Sequence, residues 1–205
     1  MEIIVVDDNS PDATWRIVED MNLPEVKVIC RKGTRGLASA FNRGIIESRG
    51  DYIGWMDADM CMPPAMIPRM HAMIVRDGYD VVIGSRYAPG GVDDRSLLRR
   101  GASRLINGFA SAVLGHGIKD YDSGFVLMRR KVLDSVSIMP RGYGEYFIEF
   151  VYAACAKGLK VGELGYYFRD RAEGESKSAP NLVRFLVTGV SYVLRIIATR
   201  VRRID

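Results

Sequence analysis

Two aspartates, Asp57 and Asp59, stand one residue apart in "WMDADMCMPP" (55–64), directly after a run apolar enough to be buried. Along an extended backbone, residues i and i+2 point to the same side, roughly 7 Å apart. Two carboxylates held that way repel each other unless a cation lies between them, and hard oxygens suit Mg²⁺ or Mn²⁺. Taken alone, the commoner meaning of such a triplet is a solvated turn. Two further apolar runs also end in polar residues: "EIIVV" before "DDNSPD" (7–12), and "DVVI" before "GSR" (84–86). "DNSPD" by itself reads as a turn and helix cap, with Asp12 or Thr14 capping. Parallel sheets collect ligands beyond the carboxyl ends of their strands, so three such tips at one edge describe a binding rim.

The elements that must carry these tips alternate in type. Strands are predicted at 2–6, 26–30, 52–56 and 80–85, with extended runs at 124–128 and 160–168. Helical spacing is predicted at 14–21, 36–48, 64–77 (opened by prolines), 95–114 and 144–158. That alternation implies an α/β fold, a mostly parallel sheet flanked by helices. At 205 residues, with 48% apolar and 26% charged, the chain has the size and composition of one folded unit.

Several chemistries are excluded by composition. Three scattered cysteines, Cys30, Cys61 and Cys155, form no CxxC pair and read as free thiols in a reducing compartment. His71 sits in an apolar helical pattern, and with only His116 besides, a histidine-based triad or zinc enzyme is not expected. The net charge of +4 suits phosphate-rich ligands or anionic lipid, and no basic-aromatic platform points to nucleic acid. "MEIIVVDD" lacks the regions of a signal peptide, and no run of 18 apolar residues could span a bilayer.

Together "VVDDNSPDAT" (5–14), "GLASAFNRGI" (36–45), "DADMCMPP" (57–64), "VVIGSRYAPGG" (82–91), "DSGF" (122–125) and "FRDRAEGESK" (168–177) resemble the nucleotide-sugar-dependent glycosyltransferases of family 2, with the Rossmann-like GT-A fold. The last motif is the most specific, and points within that family to the branch acting on polyprenyl (dolichyl) phosphates. The resemblance covers roughly residues 2–180. It implies mannose transfer from GDP-mannose to a polyprenyl phosphate, with glucose or another hexose as the alternative. It also implies a divalent ion on Asp57 and Asp59, and donor contacts from Val5, Asp7, Ala58, Arg171 and Lys177. Arg86 and Arg100 are implied for the acceptor phosphate, although "RSLLRR" could equally be a solvated helix face. Asp122 is a further candidate near the acceptor. An acid on the 144–158 helix, Glu145 or Glu149, would serve a hydroxyl acceptor, but an ionised phosphate needs no base, so both are expected to be structural. Gly36, Ala38, Ala40 and Gly44 read as close helix–sheet packing.

The resemblance also sets expectations about departures. Cys61 occupies the position of a third metal-loop ligand, where a thiol suits magnesium poorly. The chain begins where family members have their second strand. The family's opening strand, expected between the strand ending at Asp7 and the one ending at Asp57, is missing. Either the sequence is truncated, or those two strands close on each other. A catalytically weak binding or regulatory subunit is the reading those departures favour; "FRDRAEGESK" argues against a nucleotidyltransferase. The catalytic unit is placed at 1–180. Residues 181–205 form an amphipathic helix with interspersed arginines, expected either on a membrane surface or docked on the protein's own core. The expected setting is peripheral, at the cytoplasmic face of a membrane, with an anchoring partner.

Overall fold

β-branched and aliphatic runs form the strands, and the computed structural model describes residues 1–142, 144–169 and 182–202. In chain order the elements are β1 (Ile3–Asp7), α1 (Thr14–Asp20), β2 (Val26–Cys30), α2 (Leu37–Glu47), β3 (Tyr52–Trp55), α3 (Ile67–Arg76) and β4 (Val81–Ser85). They continue with β5 (Val92–Asp94), α4 (Leu97–Leu114), β6 (Val126–Arg129), α5 (Glu145–Ala156), β7 (Val161–Gly165), β8 (Tyr167–Arg169) and α6 (Leu182–Val201). One 3₁₀ turn, Pro64–Met66, leads into α3, where prolines fix the first-turn geometry without losing a needed amide.

The α/β class and the flanking helices hold, but the sheet is mixed. The main sheet has the order β3-β6-β4-β7, in which β6 runs antiparallel to both β3 and β4, while β4 and β7 are parallel. Apolar patterning carries no information about strand direction. After α4 the chain crosses the carboxyl end of the sheet through residues 115–125, so β6 enters from that end. The predicted run 160–168 is divided between β7 and β8, because Tyr166 turns into the core and β8 pairs instead with the short β5.

β1 and β2 form a separate parallel pair, and β1 and β3 are not hydrogen-bonded to each other. The alternative in which the strands ending at Asp7 and Asp57 close on each other is thus not adopted. Helix α2 links the two sheets: Phe41 packs 6.0 Å from Trp55 of β3, and a Cβ on Gly44 would meet Val6 of β1 at 3.5 Å. Ala38 is fully buried on the same face, as its packing role requires.

The core centres on α5, whose Tyr146, Phe147, Ile148, Phe150, Val151, Tyr152 and Ala154 are all buried. A helix apolar all round has to lie inside. Helix α6 packs on α4 and α5 through Tyr192, Ile196 and Thr199, and Arg195 Nη1 meets Glu149 at 2.9 Å. Its opposite face leaves Val187, Val190, Leu194, Ile197 and Val201 exposed at spacings of three and four. Core docking and an outward apolar face coexist in one helix. No helix among the described residues is long and apolar enough to cross a membrane.

Candidate active site

Strand register brings the tips together. Trp55 of β3 and Ile83 of β4 both lie opposite Val126, the first residue of β6. Asp57 and Asp59 after β3, Arg86 after β4, and residues 120–123 before β6 therefore emerge on one rim. The start of β1 lies beside the start of β3, because Glu2 accepts the amides of Arg49 and Gly50 at 2.6 and 3.0 Å. With α2 returning the chain between them, β1 carries Asp7 toward the same end. Asp57 and Asp122 both act on the buried Tyr146 phenol, which burial, first of all, and then these charges hold far above its ordinary pKa.

Asp57 and Asp59 are half-buried, and the backbone between Asp59 and Cys61 turns through a left-handed Met60 (φ 63°). That turn lets the Cys61 amide donate to Asp59 Oδ1 at 3.1 Å and swings the buried Cys61 thiol onto the Asp59 carbonyl, 3.8 Å away. Cys61 therefore faces the backbone. Among the described residues no cluster of three or more His, Cys, Asp or Glu is placed to hold a metal. The donors available are two carboxylates, hard oxygens that fit Mg²⁺ or Mn²⁺ when diphosphate and water complete the shell.

Arg86 is the most constrained charge on the rim. Its Nε and Nη2 donate to Asp120 Oδ2 and Oδ1 at 2.9 and 2.6 Å, and its backbone amide adds a third bond at 2.8 Å. Nη2 also reaches the Asp122 carbonyl at 2.9 Å and lies 3.6 Å from the Asp122 carboxylate. Burial alone would discharge the guanidinium; the Asp120 charge overcomes it and raises the pKa well above its usual value. Burial works the other way on Asp122 and raises it, with Arg86 opposing. The backbone after Arg86 is folded against β7 with no spare room. A Cβ at Gly165 would lie 2.3 Å from the Pro89 carbonyl, and one at Gly91 would lie 2.6 Å from the Ser85 carbonyl.

Beside Arg86 opens a cavity of about 420 Å³ lined by Tyr87, Arg104, Asn107, Ser111 and Lys119. The Tyr87 ring is flanked by two guanidiniums, Arg86 at 5.3 Å and Arg104 at 5.9 Å. Among the described residues neither the Arg104 guanidinium nor the Lys119 ammonium makes an ion pair, although the Lys119 amide donates to Glu163 Oε2 at 2.9 Å, and the Asn107 Oδ1 is buried without a hydrogen bond. Arg104 and Lys119 make the lining positive, while the Asn107 oxygen calls for a donor.

Residues 1–137 match the family model described as glycosyl transferase family 2. The chain belongs to glycosyl transferase family 2. Within the family it is 39% identical over 182 residues to the dolichol-phosphate mannosyltransferase of Pyrococcus furiosus, covering 86% of this chain and 50% of that protein. It is 31% identical to the protein of the same name from Saccharomyces cerevisiae (89% of this chain, 70% of that one). A polyprenol monophosphomannose synthase from Mycolicibacterium smegmatis is also 31% identical, with 90% and 72% covered. The chain thus spans about half the length of the first of these relatives. In fold it is similar to glucosyl-3-phosphoglycerate synthase from Mycobacterium tuberculosis solved with Mn²⁺, UDP and phosphoglyceric acid. That structure gives a TM-score of 0.73 at 16% identity, covering 98% of this chain and 68% of the other.

The other positions expected of a family 2 site fall as follows. Asp7 ends β1 with its carboxylate held by the Ser10 amide and hydroxyl, both at 2.7 Å; Val5 lies two residues earlier on the same strand. Asp12 accepts the Thr14 amide and hydroxyl at 3.1 and 2.7 Å, so the turn reading holds, but the helix N-cap is Ala13 in a left-handed conformation without a side-chain cap bond, so neither Asp12 nor Thr14 is the cap. Ala58 is exposed between the two aspartates. Arg100 is half-buried on α4, one turn before Arg104, and is not among the residues lining the cavity. Arg171 and Lys177 lie outside the described residues. The start of their motif does not: Phe168 of β8 packs 5.7 Å from the Arg86 guanidinium. His71 and His116 serve as ring partners of Tyr52 and Tyr152, and Glu149 is tied to Arg195 of α6. Sequence reasoning missed Arg104 and Lys119. The only available signal was Arg104 recurring four residues after Arg100 on a helix.

Proposed function

We propose that this chain carries the catalytic site of a metal-dependent inverting hexosyltransferase that moves mannose from GDP-mannose to a polyprenyl phosphate. The observation carrying this reading is the convergence of Asp57, Asp59 and Arg86 on one rim beside a cationic cavity. The names of the mannosyltransferase relatives supply the sugar and the acceptor class.

A divalent cation held by Asp57 and Asp59, Mg²⁺ or Mn²⁺, would neutralise charge growing on the departing diphosphate. Val5, Asp7 and Ala58 are assigned to the donor nucleotide sugar, together with Arg171 and Lys177 at its phosphates. Arg86 is assigned to the acceptor phosphate together with Arg100, which lies on α4 one turn before the cavity-lining Arg104. Fixed by Asp120 through Nε and Nη2, the Arg86 guanidinium is held in place before the acceptor arrives. Arg104 and Lys119 extend the same field into the cavity. The acceptor is already ionised, so its phosphate oxygen attacks the anomeric carbon directly and the nucleoside diphosphate leaves from the opposite face. No proton has to be removed, which suits a rim where the histidines serve only in packing.

Membrane association is part of this reading, supported by the aliphatic stripe on α6 and by the exposed Leu97, Leu98 and Leu105 of the neighbouring α4. A polyprenyl chain has to be met at the bilayer surface; the absence of disulfides among the described residues suits its cytoplasmic face, and any anchoring partner would act there. Transfer of glucose from UDP-glucose is the second reading, favoured by the fold likeness to a glucosyl-3-phosphoglycerate synthase solved with UDP-glucose.

The test is transfer of labelled hexose to a short polyprenyl phosphate, with a panel of nucleotide sugars and either Mg²⁺ or Mn²⁺. GDP-mannose should support turnover best, and Asp59→Asn should lower it by about 10²–10³-fold, as expected for losing charge stabilisation at the leaving group. Preference for UDP-glucose would move the reading to the second. Undiminished turnover in Asp59→Asn would remove the metal from it.

A further inference from the structure

Helix α4 carries an exposed stripe that its own fold does not explain. Gly101, Leu105, Gly108 and Ala112 recur at spacings of four, three and four, so they share one face, and all four are exposed. A Cβ at Gly101 or Gly108 would meet no atom within 4 Å, although alanine would favour the helix over glycine at either position. Leu105 stands between these two notches, 77% exposed, and Leu97 and Leu98 extend the apolar surface toward the start of the helix. From Leu97 to Gly108 the stripe runs about 16 Å, at about 1.5 Å per residue. Its Gly108 end opens into the cavity beside Arg86, where Gly108 forms part of the wall with Arg104 and Lys119. Asn107 lines the same cavity, and its Oδ1 is buried without a donor on a residue only 2% exposed.

We propose that this stripe is the subsite for the first isoprene units of the acceptor, with the phosphate end in the cavity and the tail laid along α4 across Gly108, Leu105 and Gly101 toward Leu97. This rests on the reading of the cavity as the acceptor-phosphate site. A prenyl phosphate is an anion joined to a branched hydrocarbon, so its seat needs fixed positive charge on one side of a boundary and open apolar surface on the other. Helix α4 supplies that boundary between two consecutive residues: Arg104 lines the cavity and Leu105 does not. The glycines leave a notch on either side of Leu105, where methyl branches settle against the helix backbone. A monoanionic phosphate monoester carries one P–OH, the donor that the Asn107 oxygen lacks. Tail contact with this face stabilises the complex in proportion to the apolar area it withdraws from water.

The test measures dissociation constants of inorganic phosphate and of dimethylallyl, geranyl and farnesyl phosphate, without vesicles or detergent, for the full chain and its variants, with melting temperatures alongside. In the wild type each added isoprene unit should tighten binding about 10-fold, as expected for withdrawing about two methylene equivalents from water. Gly101→Gln/Leu105→Gln should abolish that gain, bringing farnesyl and dimethylallyl phosphate within about 3-fold of each other and leaving inorganic phosphate bound as in the wild type. The melting temperature should not fall, since glutamine is the better helix former at 101 and neither position is packed. Leu194→Glu/Ile197→Glu on α6 is the control and should keep the full gain. Retention of the gain in the α4 variant, or its loss in the α6 variant, overturns the proposal, as does a wild type insensitive to chain length. Arg104→Ala should weaken all four ligands; unchanged affinity for all of them overturns instead the reading of the cavity on which the subsite rests.

Discussion

The Arg86–Asp120 pair offers the sharpest test of how the rim is held. Asp120 is fully buried and Arg86 is 5% exposed, with three hydrogen bonds converging on one carboxylate. Asp120→Asn keeps the shape but turns an amide NH₂ toward a guanidinium donor and leaves the buried cation without its main counter-charge. Breaking a buried pair by removing one partner costs about 3–5 kcal/mol. Asparagine keeps one acceptor oxygen and Asp122 stands nearby, so the lower end, about 3 kcal/mol, is expected. For a domain of this size each kcal/mol moves the melting temperature by about 2–4 °C, giving a fall of about 6–12 °C. Thermal unfolding followed by circular dichroism reads this directly. The double variant Arg86→Met/Asp120→Leu should recover most of the loss, because replacing both charges removes the desolvation cost along with the attraction. A fall of less than about 2 °C in Asp120→Asn would refute the reasoning: Arg86 would then be stabilised by Asp122 or by water.

Three further outcomes follow from the same geometry. Burial works against ionisation of Asp93, but hydrogen bonds and charge from Arg95 prevail and bring its pKa to about 2, below the ordinary 3.8. A carboxyl depressed on folding stabilises the protein above its unfolded pKa, and that stability is lost as pH falls from about 4 through about 2. Nearly 2 units at about 1.4 kcal/mol each, discounted for water at Arg95, leaves roughly 1 kcal/mol. Asp93→Asn should therefore be less stable at pH 6 and show a smaller drop between pH 4 and pH 2 in urea titrations; parallel pH profiles would contradict this. Arg104→Ala should raise the acceptor KM about 10–100-fold, the scale of one charge-assisted contact, with the donor KM unchanged. A matching rise for the donor would place Arg104 elsewhere. Leu194→Glu/Ile197→Glu, on the outward face of α6, should reduce flotation with anionic vesicles at least 10-fold, whereas unchanged flotation would assign that face to another occupant.

The candidate site residues could be singled out in the sequence because backbone alternation and charge repulsion are local. Asp57 and Asp59 at the end of an apolar run, and Arg86 at the end of another, need no tertiary knowledge to be singled out. The helix positions were legible too, since apolar spacing at three and four is written along the chain. Strand direction was not: β6 reads the same in either orientation, and only the crossing of residues 115–125 over the rim makes it antiparallel. Nor could spacing pair Asp120 with Arg86, 34 residues apart, or bring Tyr192 and Asp122 together beside Gly144. The C-terminal helix shows the division most clearly. Its sequence established two faces, yet which one docks was decided by what α4 and α5 offered: a buried seat for Tyr192 and Ile196, with Glu149 meeting Arg195. Local patterns fix what each segment is able to bury, and only the assembled surfaces decide against what.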